Sequence, residues 1–300
     1  MKVLLTGATG YLGRRLVPAL INTGHEVGAL SSDPANPRLH PAIAQSFPWQ
    51  PLAGPPAPES LEGIDAVIHL AGESVRGRWS PAKKQAIHDS RVTGTANLVA
   101  GLLAADPPPG VLVSGSAMGY YGLETGDALL TENAAPGSDF LARVGIEWEA
   151  ATAPAAAAGI RVVLLRTSLV LGGEGALPAL LPAARFGLSG PIAGGRQWWS
   201  WTHEDDVTGL LLHCLENDAL TGPLNLAAPE PVRQRDFARS LGRVLRRPAF
   251  MPLPGFALRL MIGEFAEGVI RAPRLSAGKA LESGYRFKFP ELEPALRDLL

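Results

Sequence analysis

The chain has 300 residues, 46% of them hydrophobic and 18% charged, which excludes a disordered or fibrous protein. Its net charge of −1 gives no bulk attraction to nucleic acid or to an anionic membrane. The single cysteine, Cys214, excludes an internal disulfide, and no apolar run reaches the roughly 18 residues of a membrane span, so a cytoplasmic protein is expected.

Lys2–Leu5 predicts a short buried strand and Tyr11–Thr23 a helix, with Leu12, Leu16, Leu20 and Ile21 on one apolar face and Gly24 as its stop. Between them Gly7, Gly10 and Gly13 form a G-x-x-G-x-x-G turn. A strand, a glycine turn and a helix N-terminus make an anion site, because backbone N–H groups and the helix dipole point outward there. An ordinary strand-to-helix turn has the same outline; the position of this one, opening a βα unit, favours a dinucleotide.

Glu26–Leu30 reads as a second strand, followed by a proline-rich excursion from Pro34 to Pro58 that holds one short strand near Phe47–Trp49. Asp65–Leu70 is a third apolar strand. Ser80 and Pro81 supply the cap and first residue of a helix running to Leu103. Val111–Ser114 and Arg161–Arg166 are further strands, separated by a loop and a helix that ends near Ala158–Gly159. Alternating strands and helices with continuously apolar strands predict a Rossmann-type α/β fold, a doubly wound parallel sheet covered on both faces. After Gly172 the rhythm breaks, and a smaller mixed α/β C-terminal lobe is expected. The division reads as residues 1–172 with a return at 203–229 for the cofactor, and 173–202 with 230–300 for the substrate.

Ligands of such a sheet lie beyond the carboxyl ends of the strands. That places the candidate cofactor residues at Gly7, Thr9, Gly10, Tyr11, Leu12 and Gly13, at Ser31 and Ser32, at Leu70, Ala71 and Gly72, at Ser114, and at Val170. No carboxylate stands at Ser31 or Ser32 to accept the two ribose hydroxyls of NAD, so NADP(H) is expected in preference to NAD(H). The six histidines show no metal-ligand spacing and no C-x-x-C occurs, so no metal is expected.

The stretches Thr6–Gly13, His69–Gly72, Ser114–Gly122, Leu164–Gly172 and Trp199–Val207, in this order, resemble the extended and atypical short-chain dehydrogenase/reductases. Ala71–Glu73, Asp89–Arg91, Gly119–Gly122, Gly190–Gln197 and Gly284–Leu292 resemble the epimerase-like branch with a distinct C-terminal extension. The resemblance implies an oxidoreductase passing hydride to or from the carbonyl or hydroxyl of a small molecule, a sugar nucleotide in the branch's nomenclature. It implies a cofactor contact at Arg91 and a catalytic serine at Ser116, and it adds a homodimer by analogy of fold. The branch commonly has arginine at Ser32, and its Gly-Gln-Arg-Val stands here as Arg271–Leu275. The superfamily's Tyr-x-x-x-Lys is missing, since Phe140 and Val144 occupy those positions. Tyr121 is then the candidate acid/base; the alternative is that Tyr120 and Tyr121 pack a loop beneath the cofactor. Arg196, in the loop expected over the nicotinamide end, can meet an anionic substrate. A protein that binds NADP(H) without turning it over, as a redox-sensing or regulatory module, is the competing expectation.

Overall fold

Alternation inside each apolar run divides its side chains between two faces of a sheet, and that division builds the core. The computed structural model describes residues 1–300. In chain order it contains β1 (Lys2–Thr6), α1 (Tyr11–Asn22), β2 (Glu26–Ser31), β3 (Gln45–Pro48), β4 (Ala66–His69), α2 (Pro81–Ala104), β5 (Val111–Ala117), β6 (Leu129–Leu130), α3 (Phe140–Ala150), α4 (Ala153–Ala157), β7 (Arg161–Thr167) and β8 (Leu169–Leu171). There follow α5 (Leu177–Arg185), β9 (Trp198–Trp199), β10 (Trp201–His203), α6 (Glu204–Glu216), β11 (Gly222–Leu226), β12 (Val232–Arg233), α7 (Gln234–Leu245), α8 (Gly255–Ile262), α9 (Ala266–Ile270), β13 (Arg274–Leu275), α10 (Gly278–Glu282) and α11 (Leu292–Leu299). No helix is long and apolar enough to cross a membrane.

Seven strands form one parallel sheet in the order β11-β7-β5-β4-β1-β2-β3. Val3 and Leu5 of β1, Ile68 of β4, Val113 of β5 and Leu165 of β7 meet Leu16, Val17 and Leu20 of α1 and Leu210 and Leu211 of α6 on one face. Leu4, Val67, Leu112 and Leu164 meet Leu98, Val99 and Leu102 of α2 and Ala155 of α4 on the other. Both faces are helix-covered, as the unbroken apolar strands predict. The chain winds outward from β1 through β2 and β3, then restarts at β4 and winds the opposite way. Between the ends of β1 and β4 the order reverses, leaving a crevice for a ligand.

The elements differ from expectation in two places that bear on function. Strand β5 runs on to Ala117, so Ser114 and Ser116 lie within it and Ser116 pairs with Arg166 of β7. Gly115 permits this extension, because a Cβ there would stand 3.1 Å from the ring of Trp148 on α3. The single helix expected before Gly159 is two, α3 and α4, with Pro154 in the first turn of the second. Proline has no N–H to continue a helix but suits its first turn.

Beyond Gly172 a second apolar cluster gathers Leu171, Trp199, Trp201, Phe237, Leu241, Leu258 and Leu296 from β8 through α11. Short two-stranded pairs stitch it: β8 with β10, β9 with β12, and β6 with β13. This is the smaller mixed lobe, and it sits over the carboxyl edge of the main sheet.

Candidate functional site

Gly7, at φ +73°, turns the chain out of β1, and a Cβ on it would lie 2.9 Å from the Ala71 nitrogen at the end of β4. Gly10 caps α1 without any side chain, and the helix has no acidic residue in its first turn. Its first N–H groups therefore have no protein carboxylate or hydroxyl over them, and a helix N-terminus leaves such donors free for a ligand. A Cβ on Gly13 would fall on the Gly7 carbonyl, so helix and turn can approach only with glycine there. The three glycines and this bare N-terminus fit a pyrophosphate. Thr9 is half-buried beside them, Leu12 packs against the sheet core, and Gly7 faces Leu70 and Ala71 across the crevice.

Thr6 and His69 lock the two strand ends together. Thr6 Oγ1 accepts N–H from Leu70 and Ala71, both at 3.1 Å, and lies 2.7 Å from His69 Nδ1. With its lone pairs taken, the hydroxyl donates to Nδ1, so the imidazole proton sits on Nε2 and points at Thr95 Oγ1, 3.0 Å away. A second proton on Nδ1 would face a donor. Burial, with Arg91 adding repulsion, holds the His69 pKa down to about 4. The unfolded chain takes up this proton near pH 6.5 and the folded chain near 4, so stability is complete above about 6.5 and falls as pH drops through that window. Between pH 7 and 5 the wild type is expected to lose about 2 kcal/mol more than His69→Gln. Urea unfolding at the two pH values measures it, and equal losses would remove His69 as the cause.

Tyr11 donates its hydroxyl to Glu204, the first residue of α6. Glu204 is only 7% exposed and also meets Arg15 at 3.0 Å and the Gly173 N–H at 3.1 Å. Burial, the hydrogen bond and the Glu204 charge all push the Tyr11 phenol upward, so it stays protonated. A Cβ on Gly172 would overlap both groups. The sequence treats Tyr11 and Val170 separately; the structure joins the glycine turn through Glu204 to Gly173 in the loop after β8, the strand in which Val170 lies half-buried.

At the end of β2, Ser31 Oγ donates to the Asp33 carbonyl and accepts the Asp33 N–H, while Ser32 is exposed. The Asp33 carboxylate turns away to accept from Ala35 N–H at 3.2 Å. Arg38 is exposed on the loop beyond. At the end of β4, Arg91 reaches back from α2, donating to the Glu73 carbonyl at 2.8 Å and the Ile87 carbonyl at 3.2 Å. It lies against Gly72 and 5.1 Å from the Trp148 ring centroid, and burial lowers its pKa to about 10. Ala71, Gly72 and Arg91 are thus one unit.

Ser114 is fully buried and donates to the Gly115 carbonyl. Ser116, two residues on and on the same face, donates to Glu149 Oε1 at 2.6 Å. Glu149 takes a two-pronged grip from Arg166, with Nε and Nη2 each at 2.8 Å from its oxygens. Arg166 then reaches the Tyr121 hydroxyl at 2.9 Å and the Glu132 carbonyl at 3.0 Å. The Tyr121 hydroxyl donates to Asn225 Oδ1 at 2.7 Å, and Glu132 accepts the Asn225 N–H. Tyr121 is 3% exposed, with its hydroxyl spanning Arg166 and Asn225. Burial raises its pKa more than the Arg166 contact lowers it. Burial opposes the Arg166 charge, but the Glu149 and Tyr121 contacts more than offset it. Ser116 and Tyr121 are brought together through Glu149 and Arg166 rather than by direct contact. Tyr120 presents its ring to the same guanidinium, 3.5 Å from centroid to carbon. Phe140 packs edge-on against Trp79 and Val144 is buried, so the two α3 positions that hold a tyrosine and a lysine in the superfamily hold no proton donor here.

Sequence reasoning missed Thr6, His69, Glu149, Arg166 and Asn225. One signal was present: Arg166, at the end of the apolar run Val162–Leu165, has to find a partner if it is buried with the strand, since an unpaired buried charge is too costly. His203, Asp205 and Asp298 also converge. The Asp205 N–H donates to His203 Nδ1, while Nε2, 3.3 Å from an Asp298 oxygen, makes no hydrogen bond.

Residues 3–227 match the NAD dependent epimerase/dehydratase family, and residues 253–299 match a domain of unknown function, DUF1731. The chain is 38% identical to the chloroplastic homolog of epimerase family protein SDR39U1 from Arabidopsis thaliana, over 100% of this chain and 87% of that one. It is 34% identical to epimerase family protein YfhF of Bacillus subtilis, over 100% and 98%. The crystal structure of human epimerase family protein SDR39U1 (isoform 2) with NADPH superimposes with a TM-score of 0.87 at 32% identity, covering 100% of this chain and 99% of that one. With a Rossmann-type sheet, a glycine turn at its switch point and a family match over three quarters of its length, this chain belongs to the NAD dependent epimerase/dehydratase family.

Proposed function

We propose that the chain is an NADP(H)-dependent, epimerase-like oxidoreductase acting on the carbonyl or hydroxyl of a small molecule. The observation that supports this most is the crevice between β1 and β4, where three glycines, an uncapped helix N-terminus and the Thr6–His69 lock converge. The end of β2 favours the phosphorylated cofactor, since the Asp33 carboxylate is turned into its own loop and Ser32 is exposed there. The human relative's crystallisation with NADPH supports the same choice. The N–H groups of Gly7 to Gly13 take the pyrophosphate, Ser31 and Ser32 the 2′-phosphate end, and Leu70–Gly72, Arg91, Ser114 and Val170 the ribose and nicotinamide end. Residues 1–172 with 203–229 hold the cofactor, and 173–202 with 230–300 close over the substrate. When bound, the nicotinamide supplies or accepts a hydride.

Ser116 and Tyr121 are the hydroxyl groups at the substrate end. The Ser116 proton is directed to Glu149, so toward a carbonyl substrate it acts as a positioning group whose orientation Glu149 sets. Tyr121 is the phenol next to a permanent cation: Arg166 donates to its oxygen while its proton is held by Asn225 Oδ1, and as the acid or base it would exchange that proton with the substrate oxygen. One observation favours a second reading, a binding protein that senses NADP(H) without turnover: Phe140 and Val144 offer no proton.

Binding of NADPH and NADH by the purified protein, followed by tryptophan fluorescence, tests the cofactor proposal. NADPH is expected to bind at least about tenfold tighter, and Ser31→Asp is expected to reverse the preference by repelling the 2′-phosphate. Equal or stronger binding of NADH by the wild type overturns the assignment. NADPH oxidation across a panel of carbonyl compounds separates the two readings. Turnover lost in Tyr121→Phe supports the phenol as proton carrier, and tight binding with no oxidation by the wild type supports the sensor.

A further inference from the structure

The loop after β8 is fastened to both walls of the crevice between β1 and β4. Gly172, Gly173, Glu174 and Gly175 stand there, between β8 and α5. On the β1 side, Arg14 in the first turn of α1 places Nη2 2.5 Å from both carboxylate oxygens of Glu174. On the β4 side, Arg76, from the segment between β4 and α2, donates to the Glu174 carbonyl at 3.1 Å and to the Gly175 carbonyl at 2.6 Å. One end of the loop is tied where the Gly173 N–H meets Glu204, which also takes the Tyr11 hydroxyl. The other end folds back on β8, where the Ala176 N–H donates to the Val170 carbonyl at 2.9 Å. Tyr11 and Arg14 lie one turn apart at the N-terminus of α1, so the loop passes in front of the N–H groups that fit a pyrophosphate. These fastenings are unequal. Glu204 is buried, whereas the Arg14 and Glu174 side chains are 32% and 57% exposed and Arg76 is exposed. Exposed ion pairs hold weakly, and Gly173, with open space around it, lets the backbone beside Glu174 turn.

We propose that Gly172–Gly175 is a strap across the crevice and that Glu174 is its latch. Closed, the strap spans from Arg14 to Arg76; open, it gives a pyrophosphate access to the N-terminus of α1. The inference rests on the cofactor proposal above and assigns the control of that same site, the speed at which NADP(H) enters and leaves. A cofactor passes a closed strap in neither direction, so loosening the latch speeds both steps. A group acting only by its charge has a different effect. Glu174 repels a phosphate, so removing its charge alone would speed entry and slow departure. Arg76 attracts one, so its removal would slow entry and speed departure. The direction in which the two rates move therefore separates a latch from a charge.

Stopped-flow fluorescence of NADPH binding and release by the purified protein tests it. In Glu174→Gln and in Arg76→Gln both rate constants are expected to rise about fivefold, the effect of losing one exposed charged contact, while the dissociation constant changes less than about twofold. Arg259→Gln, which removes an exposed pair with Glu267 in the smaller lobe, is expected to leave both rates unchanged. Rates that move in opposite directions, or not at all, in Glu174→Gln and Arg76→Gln overturn the strap. Hydrogen exchange of the Gly173 amide in the empty protein follows the latch with no cofactor present, and it is expected to quicken about fivefold in both variants. Unchanged exchange overturns the strap by itself. A wild type that binds no dinucleotide, with faster exchange in both variants, overturns the cofactor proposal alone. Tight NADPH binding with unchanged rates and unchanged exchange overturns the strap alone.

Discussion

Arg166→Met is expected to reduce the unfolding free energy by about 3–5 kcal/mol, the cost of leaving one member of a buried ion pair without the other. The side chains of Arg166 and Glu149 are 3% and 11% exposed, so water offers little replacement. Four hydrogen bonds leave with the guanidinium: two to Glu149, one to the Tyr121 hydroxyl and one to the Glu132 carbonyl. Ser116 still donates to Glu149, which is why total loss of folding is not expected. The paired replacement Arg166→Met with Glu149→Leu is expected to recover most of the loss, because two apolar side chains need no partner. Urea denaturation of the two variants checks both statements. A single-variant loss below about 1 kcal/mol would mean that the pair behaves like a surface salt bridge.

Gly13→Ala is expected to weaken NADPH binding about 100-fold, equivalent to about 2.7 kcal/mol. The added methyl group would fall on the Gly7 carbonyl, and the turn can relieve it only by moving the N–H groups that face the crevice. Overpacking of this kind also costs about 1–3 kcal/mol of stability. Gly24→Ala is the comparison. Gly24 sits at φ +84° with nothing within 4 Å of a Cβ, so alanine is strained there without touching the crevice. It is expected to cost about 1–2 kcal/mol of stability and to leave NADPH binding intact. Equal affinity losses in the two variants would show that binding follows general stability rather than the shape of the turn.

The main sheet was legible because its evidence is local. Residues such as Val3, Leu4 and Leu5 are buried on both faces, and that needs no partner to be recognised as an interior parallel strand. The glycine turn was legible for a similar reason, since Gly7, Gly10 and Gly13 act within seven residues of one another. The polar groups were not. Arg166 is 17 residues from Glu149 and 45 from Tyr121, and Tyr121 is 104 from Asn225. Tyr11 and Glu204 are 193 residues apart. Spacing along the chain is no guide to such partners, because they are chosen by which strand lies beside which.

By itself, then, the sequence determined the doubly wound sheet, the place of a crevice at its switch point, the absence of a carboxylate at the end of β2, and the lack of a tyrosine–lysine pair on α3. These follow from side-chain polarity, chain stiffness and short-range periodicity. Tertiary structure alone decided that Ser116 and Tyr121 share one buried network, that Thr6 and His69 lock β1 to β4, and that Arg14 and Arg76 meet at Glu174. Burial makes an unpaired charge or hydrogen-bonding group costly, so each must find a partner, but only the packing of the folded chain brings a particular partner within reach.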